Sequence, residues 1–171
     1  MHNPQGLHGL KEIPCTVFRN AAEGGVNDSL AEKLGLSRIE PLGEDGIGRI
    51  GMINEEKSLA EYAAFVVKSL GSHGARFRSS GKPVHRVAVG GGACGSYMAA
   101  AKAKGCDTFV TSDLKYNDFL DTEDLNLIDA GHYPTENVIC PVVAERLRRE
   151  FSELEVVISA SHEEAIEFCM N

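Results

Sequence analysis

The sequence has no apolar run of bilayer length, no CxxC pair, no basic stripe, no internal repeat and no low-complexity segment. Each absence narrows the possibilities. A transmembrane helix needs about 20 consecutive apolar residues, so none is expected. The start, Met1-His2-Asn3-Pro4-Gln5-Gly6, is polar and irregular and lacks the charged-then-apolar pattern of a secretory leader. The five cysteines, Cys15, Cys94, Cys106, Cys140 and Cys169, are odd in number and mostly sit in apolar runs. They read as buried free thiols in a reducing cytoplasm, with no disulfide framework and no cysteine-based zinc site. A formal net charge of −8 works against nonspecific nucleic-acid binding and suits cations or small molecules.

What is present is the length of one domain, or one and a part: 171 residues with 18 glycines, a composition typical of an α/β protein. Residues 1–19 read as an irregular leader and 20–171 as the α/β domain. Asn27-Asp28-Ser29 is expected to cap a helix over 30–34 that stops at Gly35. Runs 37–42 and 47–53 around Gly43-Glu44-Asp45-Gly46 predict a hairpin. Ser58-Leu59-Ala60-Glu61 is a capping box opening a helix to Leu70, with Gly71 as its stop. Further strands are expected at 76–79, 84–89, 107–111, 125–129 and 155–159. Helices are expected at 96–104, 116–124 and 134–151. This alternation predicts a mostly parallel, doubly wound sheet with helices on both faces. Sites in such sheets lie beyond the carboxyl ends of the strands, which selects Gly90–Gly95, Thr111–Asp113 and Asp129–His132.

Three candidate sites fall there. The loop Gly90-Gly91-Gly92-Ala93-Cys94-Gly95 formally matches the dinucleotide fingerprint through Gly90, Gly92 and Gly95, with Asp113 as the ribose acid. The competing and favoured reading is a tight turn packed closely against a neighbouring loop. Cys94, with His132 as base and Asp129 as orienter, could form a thiol hydrolase; burial of Cys94 at a crowded turn is the favoured alternative. The third candidate is His132-Tyr133-Pro134-Thr135-Glu136, which follows the strand and Gly131. In a helix, i and i+4 share a face, so His132 and Glu136 can reach one cation. The bland alternative is a capped helix start with an exposed histidine. Imidazole and carboxylate together leave Zn, Fe, Mn, Ni and Mg undistinguished.

Five motifs occur in an order that resembles one family. They are Asn20-Ala21-Ala22-Glu23-Gly24-Gly25-Val26-Asn27-Asp28, Gly46-Ile47-Gly48-Arg49-Ile50-Gly51, Val87-Ala88-Val89-Gly90-Gly91-Gly92, Thr111-Ser112-Asp113-Leu114-Lys115-Tyr116 and Asp129-Ala130-Gly131-His132-Tyr133-Pro134-Thr135-Glu136. The resemblance is to the Nif-three-like family, the GTP cyclohydrolase 1 type 2 homologues. It implies an α/β protein of two related halves, assembled as a toroidal hexamer with a dinuclear metal centre facing the interior. It implies metal ligation by a His-His pair, an Asp in the first motif, and a His and Glu that correspond to His132 and Glu136. Asp129 or Asp113 would orient His132 from behind.

This chain departs from the pattern in three places. The His-His pair has no counterpart, Asn20 stands where the family has the ligand Asp, and Asn117 replaces a histidine. The chain is therefore expected to correspond to the family's second half. The implied function is a metal-dependent hydrolase acting on a small, nucleotide-like substrate. The alternative is a non-catalytic assembly or regulatory module that has lost the complete centre. Expected partners are further copies of the chain, up to a hexamer, or a separate first-half chain, with no membrane and no nucleic acid.

Overall fold

The computed structural model describes residues 22–169. The expected leader, Asn20 and Cys15 lie outside the described residues. Six strands form one sheet: β1 (Ser37–Pro41), β2 (Arg49–Lys57), β3 (Arg76–Arg78), β4 (Val84–Val89), β5 (Thr108–Thr111) and β6 (Asn126–Asp129), in the order β1-β2-β4-β5-β6-β3. The central β4, β5 and β6 are parallel. The flanking strands run antiparallel: β1 on β2, β2 on β4 and β3 on β6. The helices are α1 (Val26–Lys33), α2 (Leu59–Leu70), α3 (Met98–Ala103), α4 (Tyr116–Asp121), α5 (His132–Glu136) and α6 (Ile139–Glu150). Among the described residues, no helix is long and apolar enough to cross a membrane.

The α/β reading is correct, and the reason is visible strand by strand. Side chains alternate across a strand. On one face Val87, Val89, Val110 and Ile128 pack under Leu30 and Leu34 of the α1 region and Tyr62 and Val66 of α2. On the other, Ala88, Phe109 and Leu127 meet Ala101 of α3 together with Leu114 and Leu125. The three parallel strands are apolar on both faces because both faces are covered. The α2 boundaries follow its capping box: Ser58 accepts from the Glu61 amide, Glu61 accepts from the Ser58 amide, and Gly71 closes the helix in the left-handed region at φ 64°.

Three elements differ from expectation. Asn27-Asp28-Ser29 do not cap α1 but lie inside it, because the helix already opens at Val26 after Gly25, and Asp28 is drawn to Arg49 and the Gly24 amide. The helix expected over 134–151 is two helices. Pro141 has no N–H to return to the Asn137 carbonyl, which instead accepts from Cys140 at 3.1 Å. The chain breaks there and restarts, with Pro141 in the first turn of α6. The strand expected over 155–159 does not form; those residues are irregular and mostly exposed.

A second device joins the first helix to the hairpin. Arg49, at the start of β2, is buried, and its guanidinium holds both oxygens of Asp28 while donating to the Gly46 carbonyl at 2.7 Å and the Gly48 carbonyl at 2.9 Å. Asp28 also accepts from the Gly24 amide at 2.7 Å. Arg49→Ala strands a largely buried carboxylate and frees two turn carbonyls. Removing one partner of a buried pair costs about 3 kcal/mol. Urea unfolding should show a loss of that order; a loss under about 1 kcal/mol would mean that the pair behaves as a solvated surface bridge.

Candidate functional site

The site is built on three consecutive strand ends. β4 delivers the glycine loop, β5 delivers Ser112 and Asp113, and β6 delivers Ala130, Gly131 and α5. Asp113 adopts φ 55°, a left-handed conformation that Asp tolerates better than most residues. Its carboxylate lies 2.6 Å from His132 Nδ1. On the other side of the ring, His132 Nε2 lies 3.4 Å from Glu136 Oε2, one helical turn away. The three side chains are 51%, 48% and 41% exposed, so the row opens to solvent.

This spacing suits a shared cation. Two donors about 2.1 Å from a tetrahedral ion are about 3.4 Å apart. Asp113 on Nδ1 leaves Nε2 for the cation, the carboxylate–histidine–metal arrangement. Below the pair sits Gly92, at φ 66°; a Cβ there would come within 2.6 Å of Glu136 Oε1 and 3.1 Å of His132 Nε2. Only a residue without a side chain leaves room for both ligands. Among the described residues, however, no three His, Cys, Asp or Glu side chains converge as a ligand set. Two donors fit and the set is incomplete.

The two candidate supporting carboxylates have separate roles. Asp113 alone is bonded to His132. Asp129 is buried and accepts from the Arg76 guanidinium, the Leu114 amide at 3.0 Å and the Gly131 amide at 3.2 Å. It thereby ties together the segments that carry Asp113 and His132. Arg76 was the missed signal: its charge takes the Asp129 carboxylate.

Four amides of the glycine loop, those of Gly90, Gly91, Gly92 and Cys94, are already bonded within the protein. Gly90 donates to the Val110 carbonyl at 2.9 Å, Gly91 to Asn27 Oδ1 at 2.8 Å and Gly92 to Thr135 Oγ1 at 3.0 Å. A dinucleotide-binding turn uses such amides for its pyrophosphate. Here Gly90 and Gly91 serve close packing: a Cβ would meet Cys94 at 2.5 Å in the first case and Val26 at 2.8 Å in the second. Gly95 packs near Leu114. This geometry fits the close-packed turn.

Cys94 does not have the character of a nucleophile. Burial, with Glu136 and Asp45 adding to it, pushes its thiol up to about 11, and the S–H points to the Gly91 carbonyl at 3.3 Å. At neutral pH it is a protonated packing group. Asn117 lies exposed on α4. The sequence reading took Asn27 for part of a helix cap and gave no role to Thr135; in the structure Asn27 lies inside α1 and takes the Gly91 amide. Thr135 is fully buried, and besides accepting from Gly92 it faces the Gly131 carbonyl at 2.8 Å.

A family model described as Duf34/NIF3 (NGG1p interacting factor 3) matches residues 19–165. A GTP cyclohydrolase 1 type 2 homolog of Nostoc sp. is 34% identical over 135 residues, covering 74% of this chain and 51% of the relative. One of Clostridium perfringens is 27% identical, covering 87% and 61%. Thus the chain spans about half to three fifths of the length of these relatives. The fold is shared with Staphylococcus aureus hypothetical protein SA1388, with a TM-score of 0.80 at 23% identity, covering 88% of this chain and 66% of that one.

The geometry around His132 sets its titration. The Asp113 hydrogen bond, chiefly, and the charges of Glu136 and Asp113 favour imidazolium and raise its pKa above 6.5, against a smaller opposing effect of burial. The raised value means that the pair contributes stability present in full below the unfolded-state pKa and lost as pH rises through the folded value. NMR titration of the metal-free chain should place the His132 midpoint above 6.5. Asp113→Asn should lower that midpoint; no movement would show that the 2.6 Å contact is absent in solution.

Proposed function

Because this chain belongs to the Duf34/NIF3 family, we propose that it binds a divalent cation through His132 Nε2 and Glu136, as part of a metal-dependent hydrolase site. The observation that carries this reading is the 3.4 Å separation of the two donors, with Asp113 holding the far side of the imidazole. A cation bound there would supply Lewis-acid activation for hydrolysis. Asp113 fixes which ring nitrogen faces the cation, Glu136 adds negative charge to the site, and Gly92 leaves the space that both ligands occupy. Small, nucleotide-like substrates are the class suggested by the relatives' name, GTP cyclohydrolase 1 type 2 homolog.

Stable transition-metal sites use three or four protein ligands. Two come from the described residues, so the remaining donors belong to the Asn20 region, to another copy or to a separate chain carrying the family's first half. The second reading, a non-catalytic assembly or regulatory module, is favoured by that same shortage of ligands. Metal titration separates the two. Weak binding by this chain is expected, falling a further ~10–100-fold in Glu136→Gln and His132→Ala. No binding at all, alone or with a first-half chain, would favour the module.

Asn20 offers an amide where the family offers a carboxylate. Asn20→Asp should raise cation affinity by a factor in the same ~10–100-fold range, measured by calorimetry. An unchanged affinity would remove Asn20 from the site.

A further inference from the structure

The described cysteines sit in unlike surroundings. Cys94 and Cys106 are buried, and burial pushes both thiols up to about 11. Cys140 is half-buried and Cys169 is exposed. A thiol is a nucleophile only as its thiolate, so its reactivity follows what surrounds the sulfur.

Two features at Cys140 favour the thiolate. Cys140 is the second residue of α6, a helix of 12 residues, and lies in its first turn. There the unsatisfied amides form the positive end of the helix. Beside it stands His162, whose Nε2 is 3.9 Å from Cys140 Sγ. The ring is held in place from a third element. Tyr133 of α5 donates its hydroxyl to the His162 carbonyl at 2.7 Å, and the two rings lie 5.1 Å apart, tilted by 56°. The chain on both sides of His162 is irregular and mostly exposed, so the Tyr133 contact is what keeps the imidazole against α6. A nucleophile, a base within its reach and a third group that orients the base make up an activated thiol. The charged groups next to this pair along the chain are acids: Glu136 before Cys140, and Glu163 and Glu164 after His162. Carboxylates oppose a thiolate, which leaves His162 and the helix end as the groups that favour it.

We propose that Cys140 is a modification site, a thiol activated by His162 for exchange with small disulfides. With its own proton on Nδ1, His162 takes the thiol proton at Nε2. The Cys140 sulfur attacks one sulfur of the disulfide; a new S–S bond forms and the old one breaks. The second sulfur leaves as a thiolate and collects the proton from the imidazolium. Cys140 is oxidised to a mixed disulfide, and one equivalent of small thiol is the reduced product. The reaction uses neither His132 nor Glu136, so it stands independently of the cation reading.

Labelling of the full chain with dithiodipyridine, an uncharged disulfide, tests it, with mass spectrometry of the peptides resolving each cysteine. Cys169, exposed on the same tail, is the internal reference. At neutral pH Cys140 should react at least about fivefold faster than Cys169, although it is the less exposed thiol. His162→Ala should slow Cys140 to the Cys169 rate or below, and should move the Cys140 rate–pH curve to higher pH. His162 lies in the exposed tail, outside both apolar layers of the sheet, so the variant keeps the core intact. The sign of the change separates activation from covering: a histidine that only shields the thiol would speed labelling when removed. A Cys140 rate in His162→Ala that equals or exceeds the unmodified one would overturn the proposal. So would an unmodified chain in which Cys140 reacts no faster than Cys169.

Discussion

The amide hydrogen bonds of the glycine loop after β4 govern how the rest of the molecule is arranged. Three separate elements meet on this one turn. Asn27 of α1 takes the Gly91 amide, Thr135 of α5 takes the Gly92 amide, and Thr111 of β5 takes the Cys94 amide while donating to the Gly92 carbonyl at 2.9 Å. Buried backbone groups left without partners are costly. The loop therefore fixes the distances between α1, β5 and α5, and with them the position of the two candidate ligands above Gly92.

The Asp28–Arg49 clamp extends that frame to the antiparallel half of the sheet. Asn27 and Asp28 are neighbours in α1, yet one reaches the glycine loop and the other the β1–β2 turn. Two motifs distant in sequence are thus two ends of one polar network, anchored on a single helical turn. The apolar layers on either face of the sheet then pack around a backbone whose crossings are already set.

How much of this was legible depended on the range of the interaction. The His132–Glu136 pair follows from helical spacing alone, and α2 follows from its capping box. The two-sided core follows from the consecutive apolar residues at the centres of β4, β5 and β6, Val87-Ala88-Val89, Phe109-Val110 and Leu127-Ile128. The choice of Asp113 over Asp129 as the histidine's partner was hidden, because it depends on a left-handed φ at Asp113 and on Arg76 arriving from another strand. Pro141 signalled the break between α5 and α6, yet helical periodicity on both sides masked it. The run after α6 has strand propensity, but propensity supplies no edge to pair with.

The groups that hold the glycine loop, Asn27, Thr111 and Thr135, are all uncharged, whereas Asp113, His132 and Glu136 above it are ionisable. Neutral buried hydrogen bonds feel neither mild acid nor added salt, while half-exposed charges feel both. The medium can thus change what occupies this site without breaking the hydrogen bonds that Asn27, Thr111 and Thr135 make to the glycine loop beneath it.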